Sequence, residues 1–324
     1  MGIVEKVKNT ILKYKLIKKG DTILVGVSGG PDSLALLLIL QRLSQELGFS
    51  VYIGHFDHML RRDSAKDAQF VANLANQFHI PYETGKAGLE IKAKKGSLEE
   101  IARQLRQEFL FKVAKRIKAD KIALGHNFDD QAETVLMRII RGTGLYGLAG
   151  ILPKREISGF IVIRPLLEVT RQEIESYLKR RKITAREDPT NLKETFFRNR
   201  IRHTLLPFLR ERFNRNIKAA LWNLGESASW DYDYLNRISL RYVQLKNKLS
   251  IEKLLKMHPA IRRLVIRLEI ANVQGDTRRI TFKHIQEIED LLINRPQNSI
   301  VNLPKGISVK KEKKYLQFRI LANT

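Results

Sequence analysis

The sequence contains no cysteine among its 324 residues. Disulfides, thiolate metal sites and thiol nucleophiles are therefore excluded. No apolar run reaches the roughly 18 to 20 residues that a membrane-spanning helix needs, and the segment from Met1 to Gly20 lacks the apolar core of a signal peptide. These absences predict a cytoplasmic protein that has no membrane partner.

Acidic residues are scarce relative to basic ones. Asp and Glu number 34 against 59 Lys and Arg, so the formal net charge is +25. A field of this sign attracts polyanions and raises their encounter rate, which predicts nucleic acid as a partner. The 43% of apolar residues is enough for a sizeable core, and the chain length favours two domains.

Two common phosphate-binding patterns, the Walker loop and the dinucleotide-fold glycine motif, are also missing. Between two apolar runs, the stretch from Ile23 to Leu40 instead carries Ser-Gly-Gly-Pro-Asp-Ser. Adjacent glycines let the backbone approach a ligand closely, proline suits a first helical turn, and free N–H groups at a helix N-terminus favour an anion such as pyrophosphate. The residues predicted to bind the nucleotide are Ser28 (as the N-cap), Gly29, Gly30, Pro31, Asp32 and Ser33.

Asp32 stands in this turn where a cation would be expected, and a carboxylate there suits a metal ion that bridges phosphates. An ordinary strand-to-helix turn without a ligand is the alternative interpretation.

Segments of strand and helix character alternate from residue 23 to residue 182. This alternation predicts an α/β fold, with a parallel sheet, helices on both faces and ligands at the carboxyl ends of the strands. The expected domain covers residues 1–215. Helical periodicity then dominates residues 216–324, which predicts a smaller, mainly helical domain that ends in a hairpin formed by segments 299–309 and 315–320.

A predicted helix follows the strand that ends at Gly125, and acids stand in its first turn. Asp130 and Glu133 are three residues apart and therefore share one face, with Asp129 beside them. In so basic a chain, these carboxylates suit a cationic amine or Mg²⁺. The alternative is that they only complement the positive end of the helix.

Two histidines, His55 and His126, lie at the ends of predicted strands and are expected to reach the same crevice. Hydrogen bonding or proton transfer is the preferred role, with metal ligation or a purely structural role as alternatives. Two basic segments are predicted to contact RNA, although solvated basic surfaces would look similar. Their arginines are Arg138, Arg141, Arg198 and Arg202.

Ser28–Ser33 by itself resembles the PP-loop of the N-type ATP pyrophosphatases, which have an adenine nucleotide alpha hydrolase-like fold. Together with further stretches between Asp21 and Phe208, it resembles the tRNA(Ile)-lysidine synthase family. The further stretches are His55–His58, Leu60–Arg61 with Ser64 and Asp67, Gly125–Thr134, Arg141–Leu145, Arg164–Leu167, Glu187–Asn191 and Arg198–Arg202.

The resemblance implies a carbon–nitrogen ligase that adenylates C2 of the wobble cytidine of tRNA(Ile) with a CAU anticodon and then joins L-lysine to it, releasing AMP and pyrophosphate. ATP and Mg²⁺ are the implied co-substrate and cofactor. The residues implied to be catalytic are Asp32, His55, Asp130 and Glu133. Asp32 would bind the metal, and lysine would be bound by Asp129, Asp130 and Glu133. A cysteine-independent ligase for a small molecule and a non-catalytic RNA-binding relic remain alternatives, and the oligomeric state stays open, with a homodimer as one option.

Overall fold

The structure is a computed structural model of the chain, and it describes residues 1–59, 64–88, 98–186, 197–243, 247–275, 277 and 279–320. By its internal contacts the chain divides into two compact units, Met1–Glu226 and Ser227–Thr324. The division lies inside the helix Ile217–Leu240, beyond the boundary predicted at residue 215.

The first unit combines a six-stranded sheet with helices. Its strands are β1 (Thr22–Gly26), β2 (Ser50–Asp57), β3 (Tyr82–Lys86), β4 (Lys121–Ala123), β5 (Lys154–Ile157) and β6 (Phe160–Ile163). Its helices are α1 (Ile3–Lys13), α2 (Pro31–Leu47), α3 (Ser64–Gln77), α4 (Leu98–Arg116), α5 (Phe128–Ile140), α6 (Leu145–Leu148), α7 (Arg171–Arg180), α8 (Phe197–Arg200), a π-helical turn (Ile201–Leu205), α9 (Leu206–Arg212) and the start of α10 (Ile217–Leu240).

The strand order is β3-β2-β1-β4-β6-β5. Every pair is parallel except the edge pair β5–β6, so the predicted parallel sheet is confirmed. The sequence analysis missed β5, whose residues are mostly charged and exposed. Such residues are typical of an edge strand and give no apolar alternation to recognise.

The core of this unit surrounds α2 and the central strand β1. Ile23, Leu24 and Val25 are fully buried, as expected for a parallel strand that is covered on both faces. Helix α2 is apolar on almost all sides because it packs against the sheet and also against α1 and α7. This packing fixes the N-terminus of α2 at the carboxyl end of β1.

The second unit contains the rest of α10 and a four-stranded antiparallel sheet with the order β7-β10-β9-β8. Its remaining elements are β7 (Lys248–Ser250), α11 (Ile251–Lys256), α12 (Pro259–Gln274), α13 (Phe282–Ile293), β8 (Ile300–Leu303), a 3₁₀ turn (Pro304–Gly306), β9 (Ile307–Lys311) and β10 (Tyr315–Ile320). Strands β9 and β10 form the hairpin that was predicted at the C-terminal end.

The first arm of that hairpin is itself folded in two, because the 3₁₀ turn separates β8 from β9. Lys305 and Gly306 both have positive φ there, at 63° and 72°, a backbone that single residues adopt in tight turns. Among the described residues, no helix is both long enough and apolar enough to cross a membrane.

Candidate active site

The glycine-rich turn after β1 leads directly into α2, which begins at Pro31, so Pro31 lies in the first helical turn as predicted. Gly29 has a φ of +86°, a conformation that glycine adopts without strain. The N-cap is Gly30 and not Ser28, and it has no side-chain cap. The prediction that Ser28 is the N-cap is therefore wrong, because the helix starts at the residue after the second glycine.

Ser28 and Ser33 close this turn with hydrogen bonds. The hydroxyl of Ser33 donates to the carbonyl of Gly30 at 3.0 Å and accepts from the amide of Ser28 at 3.1 Å. The first amides of a helix have no partner within the helix. The fixed turn therefore presents the positive end of α2 at the carboxyl edge of the sheet, where an anion is stabilised.

The end of β4 approaches this turn closely at Gly125. A Cβ atom at this position would lie 3.0 Å from the carbonyl carbon of Asp32 and 3.1 Å from the amide nitrogen of Ser33. Both are backbone atoms that cannot rotate away, so the absence of a side chain brings the β4 edge against the phosphate-binding turn.

Asp32 is joined to the next helix by a hydrogen bond. The side-chain amide of Asn127 donates to Oδ1 of Asp32 at 2.9 Å. Burial, together with the charge of nearby Asp130, raises the pKa of Asp32 to about 6. This carboxylate is therefore ionised at neutral pH but gains a proton under mildly acidic conditions.

Asn127 also forms the N-terminus of α5. Its side-chain oxygen accepts from the amide of Asp130 at 3.0 Å, and a side-chain oxygen of Asp130 accepts from the amide of Asn127 at 3.1 Å. This is a capping box made by an Asn and an Asp. The sequence analysis missed Asn127, although the spacing Asn-x-x-Asp at a helix start is a recognisable signal.

The acid pair of Asp130 and Glu133 lies together on α5, as predicted, and it is bound by two arginines. Arg198 donates to Glu133 at 2.7 Å and to Asp130 at 2.8 Å. Arg202 donates to both oxygens of Glu133 and lies 3.4 Å from Asp130. Although burial opposes it, the charges of Asp130 and Glu133 raise the pKa of Arg198.

Asp129 makes different contacts. Its two oxygens accept from the ammonium of Lys218 and from the backbone amide of Arg171. Although burial favours the neutral carboxyl, these two donors lower the pKa of Asp129. Asp129 thus links α5 to α7 and α10, and sequence reasoning gave no signal for Lys218.

His55 lies beside the phosphate-binding turn and is buried. Its Nδ1 is 2.8 Å from the carbonyl of Val27, and its Nε2 has no partner among the described residues. A proton on Nδ1 leaves Nε2 as an acceptor. At the end of β4, Nδ1 of His126 also has no partner in the described parts of the chain, and burial followed by the charge of Arg164 lowers its pKa well below the usual value.

The other two arginines predicted to contact RNA also have partners within the protein. Arg138 donates from Nη1 to the carbonyls of Gly147 and Gly150, both at 2.9 Å, so it fixes the glycine-containing segment that follows α5. Arg141 is exposed and lies 4.9 Å from the ring centre of Phe197. The motif stretches at Leu60–Arg61 and Glu187–Asn191 lie outside the described residues.

Asp32 is the residue of this site that best fits a role in holding a metal ion. Among the described residues, no cluster of three His, Asp or Glu side chains forms a metal site. Mg²⁺ at nucleotide sites commonly uses one or two carboxylates and the phosphates of the substrate. Asp32, at the start of α2, fits that pattern.

Two family models match the chain, one within each of its two compact units. A family model described as a PP-loop domain matches residues 3–209, and one described as a TilS substrate binding domain matches residues 249–316. A U34-tRNA thiolase, NcsA from Methanococcus maripaludis, has a similar fold, with a TM-score of 0.60 and 19% identity over 71% of this chain and 78% of its own.

Curated relatives have higher identity. The tRNA(Ile)-lysidine synthase of Clostridioides difficile is 38% identical over 96% of this chain and 69% of its own length. That of Symbiobacterium thermophilum is 44% identical over 70% of this chain and 47% of its own length. The chain therefore belongs to the tRNA(Ile)-lysidine synthase family.

Proposed function

We propose that this chain joins L-lysine to C2 of the wobble cytidine in a tRNA(Ile) with a CAU anticodon, and that it cleaves ATP to AMP and pyrophosphate. The observation that carries this proposal is the hydrogen-bonded link from Asp32 through Asn127 to Asp130. It joins a turn suited to phosphate with an acid pair suited to an amine. Both lie where parallel strands end, the usual ligand position of such sheets.

The first step is transfer of adenylate. The O2 oxygen of cytidine attacks the α-phosphorus of ATP, the bond to the bridging oxygen breaks, and pyrophosphate leaves. The amides at the start of α2 bind the phosphates, while Asp32 would hold Mg²⁺, which neutralises developing phosphate charge. The buried Nε2 of His55, which needs a donor, would bind the nucleotide or the base.

The second step forms the carbon–nitrogen bond. The lysine amine attacks C2, the bond from C2 to the adenylated oxygen breaks, AMP leaves with that oxygen, and the amine loses a proton. Asp130 and Glu133 would orient the amine of lysine before the attack. We assign Asp129 a positioning role, because its oxygens already bind Lys218 and the amide of Arg171.

The test is pyrophosphate release by the purified chain with ATP and Mg²⁺, given unmodified tRNA(Ile) transcript and lysine together and each omitted in turn. The proposal expects release that depends on tRNA, with labelled lysine entering the RNA. A transcript whose wobble cytidine is replaced by uridine is the matched control and should accept none. Release without tRNA but with a small acceptor would indicate a small-molecule ligase, and no release would indicate an RNA-binding relic.

A further inference from the structure

The acid pair is fully occupied by cations of the protein itself. Arg198 and Arg202 together place five nitrogen–oxygen contacts on Asp130 and Glu133. The second oxygen of Asp130 accepts from the backbone of Asn127. The side chain of Glu133 is only 2% exposed, so water has little access to its oxygens.

An added ammonium would therefore need to replace a guanidinium. The two carboxylates and two guanidiniums balance each other in charge, and a third cation would leave an uncompensated positive charge in a largely buried place. Burying an unpaired charge is costly. Exchange of one cation for another keeps the charges balanced, and the carboxylate oxygens still accept hydrogen bonds.

Arg202 is better placed to leave than Arg198. Its departure frees Oε1 of Glu133, while Arg198 keeps its bonds to Oε2 of Glu133 and to Asp130. Arg202 also belongs to the π-helical turn Ile201–Leu205, a rare geometry that is frequent at functional sites.

A released Arg202 would stay near the phosphate-binding turn. Its charge already acts on Asp32 in the structure. Guanidinium pairs strongly with phosphate because two parallel N–H groups match two phosphate oxygens. Under the proposed function, the tRNA that presents its cytidine at this edge of the sheet would supply such phosphates.

We propose that Arg202 is an exchangeable cation, which binds Glu133 until the ammonium of lysine displaces it and which then binds a phosphate of the tRNA. This rests on the proposed function, because it takes lysine and tRNA as the ligands. Since coupling between binding sites is reciprocal, lysine must raise the affinity for tRNA by the same factor by which tRNA raises the affinity for lysine.

The experiment measures binding of the full chain to a tRNA(Ile) transcript at several salt concentrations, with and without saturating lysine and always without ATP. One added phosphate contact steepens the slope of log affinity against log salt by about 0.7 to 0.9. We expect that change on adding lysine, together with tighter binding. In Arg202→Gln, lysine should no longer change the slope.

Arg200→Gln is the matched control. Arg200 is a neighbouring exposed arginine that lies 5.5 Å from the ring centre of Phe197, and its removal should leave the lysine-dependent change in slope intact. A slope that lysine leaves unchanged in the unsubstituted protein would overturn the exchange, and this result needs no variant to fold.

The same samples separate the two proposals when ATP and Mg²⁺ are added. An unchanged slope with labelled lysine entering the tRNA would refute the exchange and support the function. Failure of lysine to enter under any condition would refute the proposed function, whereas the slope, measured before ATP is added, still decides the exchange.

Discussion

Replacing Glu133 by glutamine removes one of the two negative charges of the acid pair while keeping the shape of the side chain. In the structure this carboxylate accepts from Arg198 and from two nitrogens of Arg202. A glutamine would keep one acceptor oxygen but would direct an NH₂ group at a guanidinium. Two arginines would then share only the carboxylate of Asp130.

The expected loss of stability depends on how deeply the ion pairs are buried. Removing one partner of a buried ion pair costs about 3 to 5 kcal/mol, because the remaining charge is left without its partner. The side chains of Arg198 and Arg202 are 31% and 25% exposed, so water compensates in part and we expect the lower end, about 3 kcal/mol. For a unit of this size that corresponds to a fall of about 6 to 12 °C in transition temperature.

Differential scanning calorimetry measures this shift, with Glu175→Gln as the control. Glu175 also pairs with an arginine, Arg171, but its side chain is 58% exposed, and such surface pairs contribute about 0 to 1 kcal/mol. In kinetics, Glu133→Gln should raise the KM for lysine about 10- to 100-fold, the value of a charged hydrogen bond, and should change the KM for ATP little. Equal shifts in transition temperature for the two variants, or equal effects on both KM values, would refute the reasoning.

Four other perturbations act on the phosphate-binding turn. Asp32→Asn should lose ATP cleavage and keep tRNA affinity, as measured by pyrophosphate release and filter binding; retained turnover would rule out its role with the metal. In the unsubstituted protein, the rate of ATP cleavage should fall as the pH drops through about 6, where Asp32 takes up a proton. Added Mg²⁺ should move the midpoint of this fall to lower pH, because the metal favours the ionised carboxylate. A midpoint that does not respond to Mg²⁺ would contradict this. Asn127→Ala should lower the transition temperature through loss of a cap of about 1 kcal/mol and should also slow ATP cleavage, whereas a purely stabilising role would leave the rate unchanged. Gly125→Ala should reduce kcat for ATP cleavage, because the added Cβ lies 3.0 Å from the backbone of Asp32; unchanged kinetics would show that the turn adapts.

Much of the fold was predictable because local patterns determine it. The apolar segment of β1, the double glycine and Pro31 together predicted a strand, a turn and a helix with Pro31 in its first turn. Strand β5 could not be predicted, since its stability comes from pairing with β6 and its side chains face solvent. The residues of β5 themselves do not indicate that β6 will pair with them.

The acid pair was predictable for a related reason, whereas its partners were not. Residues three apart on a helix share a face whatever the rest of the chain does, so Asp130 and Glu133 could be placed together. Arg198 lies 65 residues from Glu133 in sequence, and only the packing of α8 and the π-helical turn near α5 brings them into contact. The sequence of a basic segment does not show whether its arginines contact RNA or a carboxylate within the protein.

The site has an excess of negative charge, although the chain as a whole has a net charge of +25. Asp32, Asp130 and Glu133 are opposed by Arg198 and Arg202, so three carboxylates meet two guanidiniums. The uncompensated negative charge lies nearest Asp32, whose raised pKa reflects its burial and the repulsion from Asp130. A proton or a metal ion at Asp32 can neutralise that excess, whereas an ammonium that displaces Arg202 from Glu133 leaves it unchanged. Because a proton and a metal ion compete for Asp32, acid pH should weaken the binding of the metal, while the basic surface elsewhere continues to attract RNA.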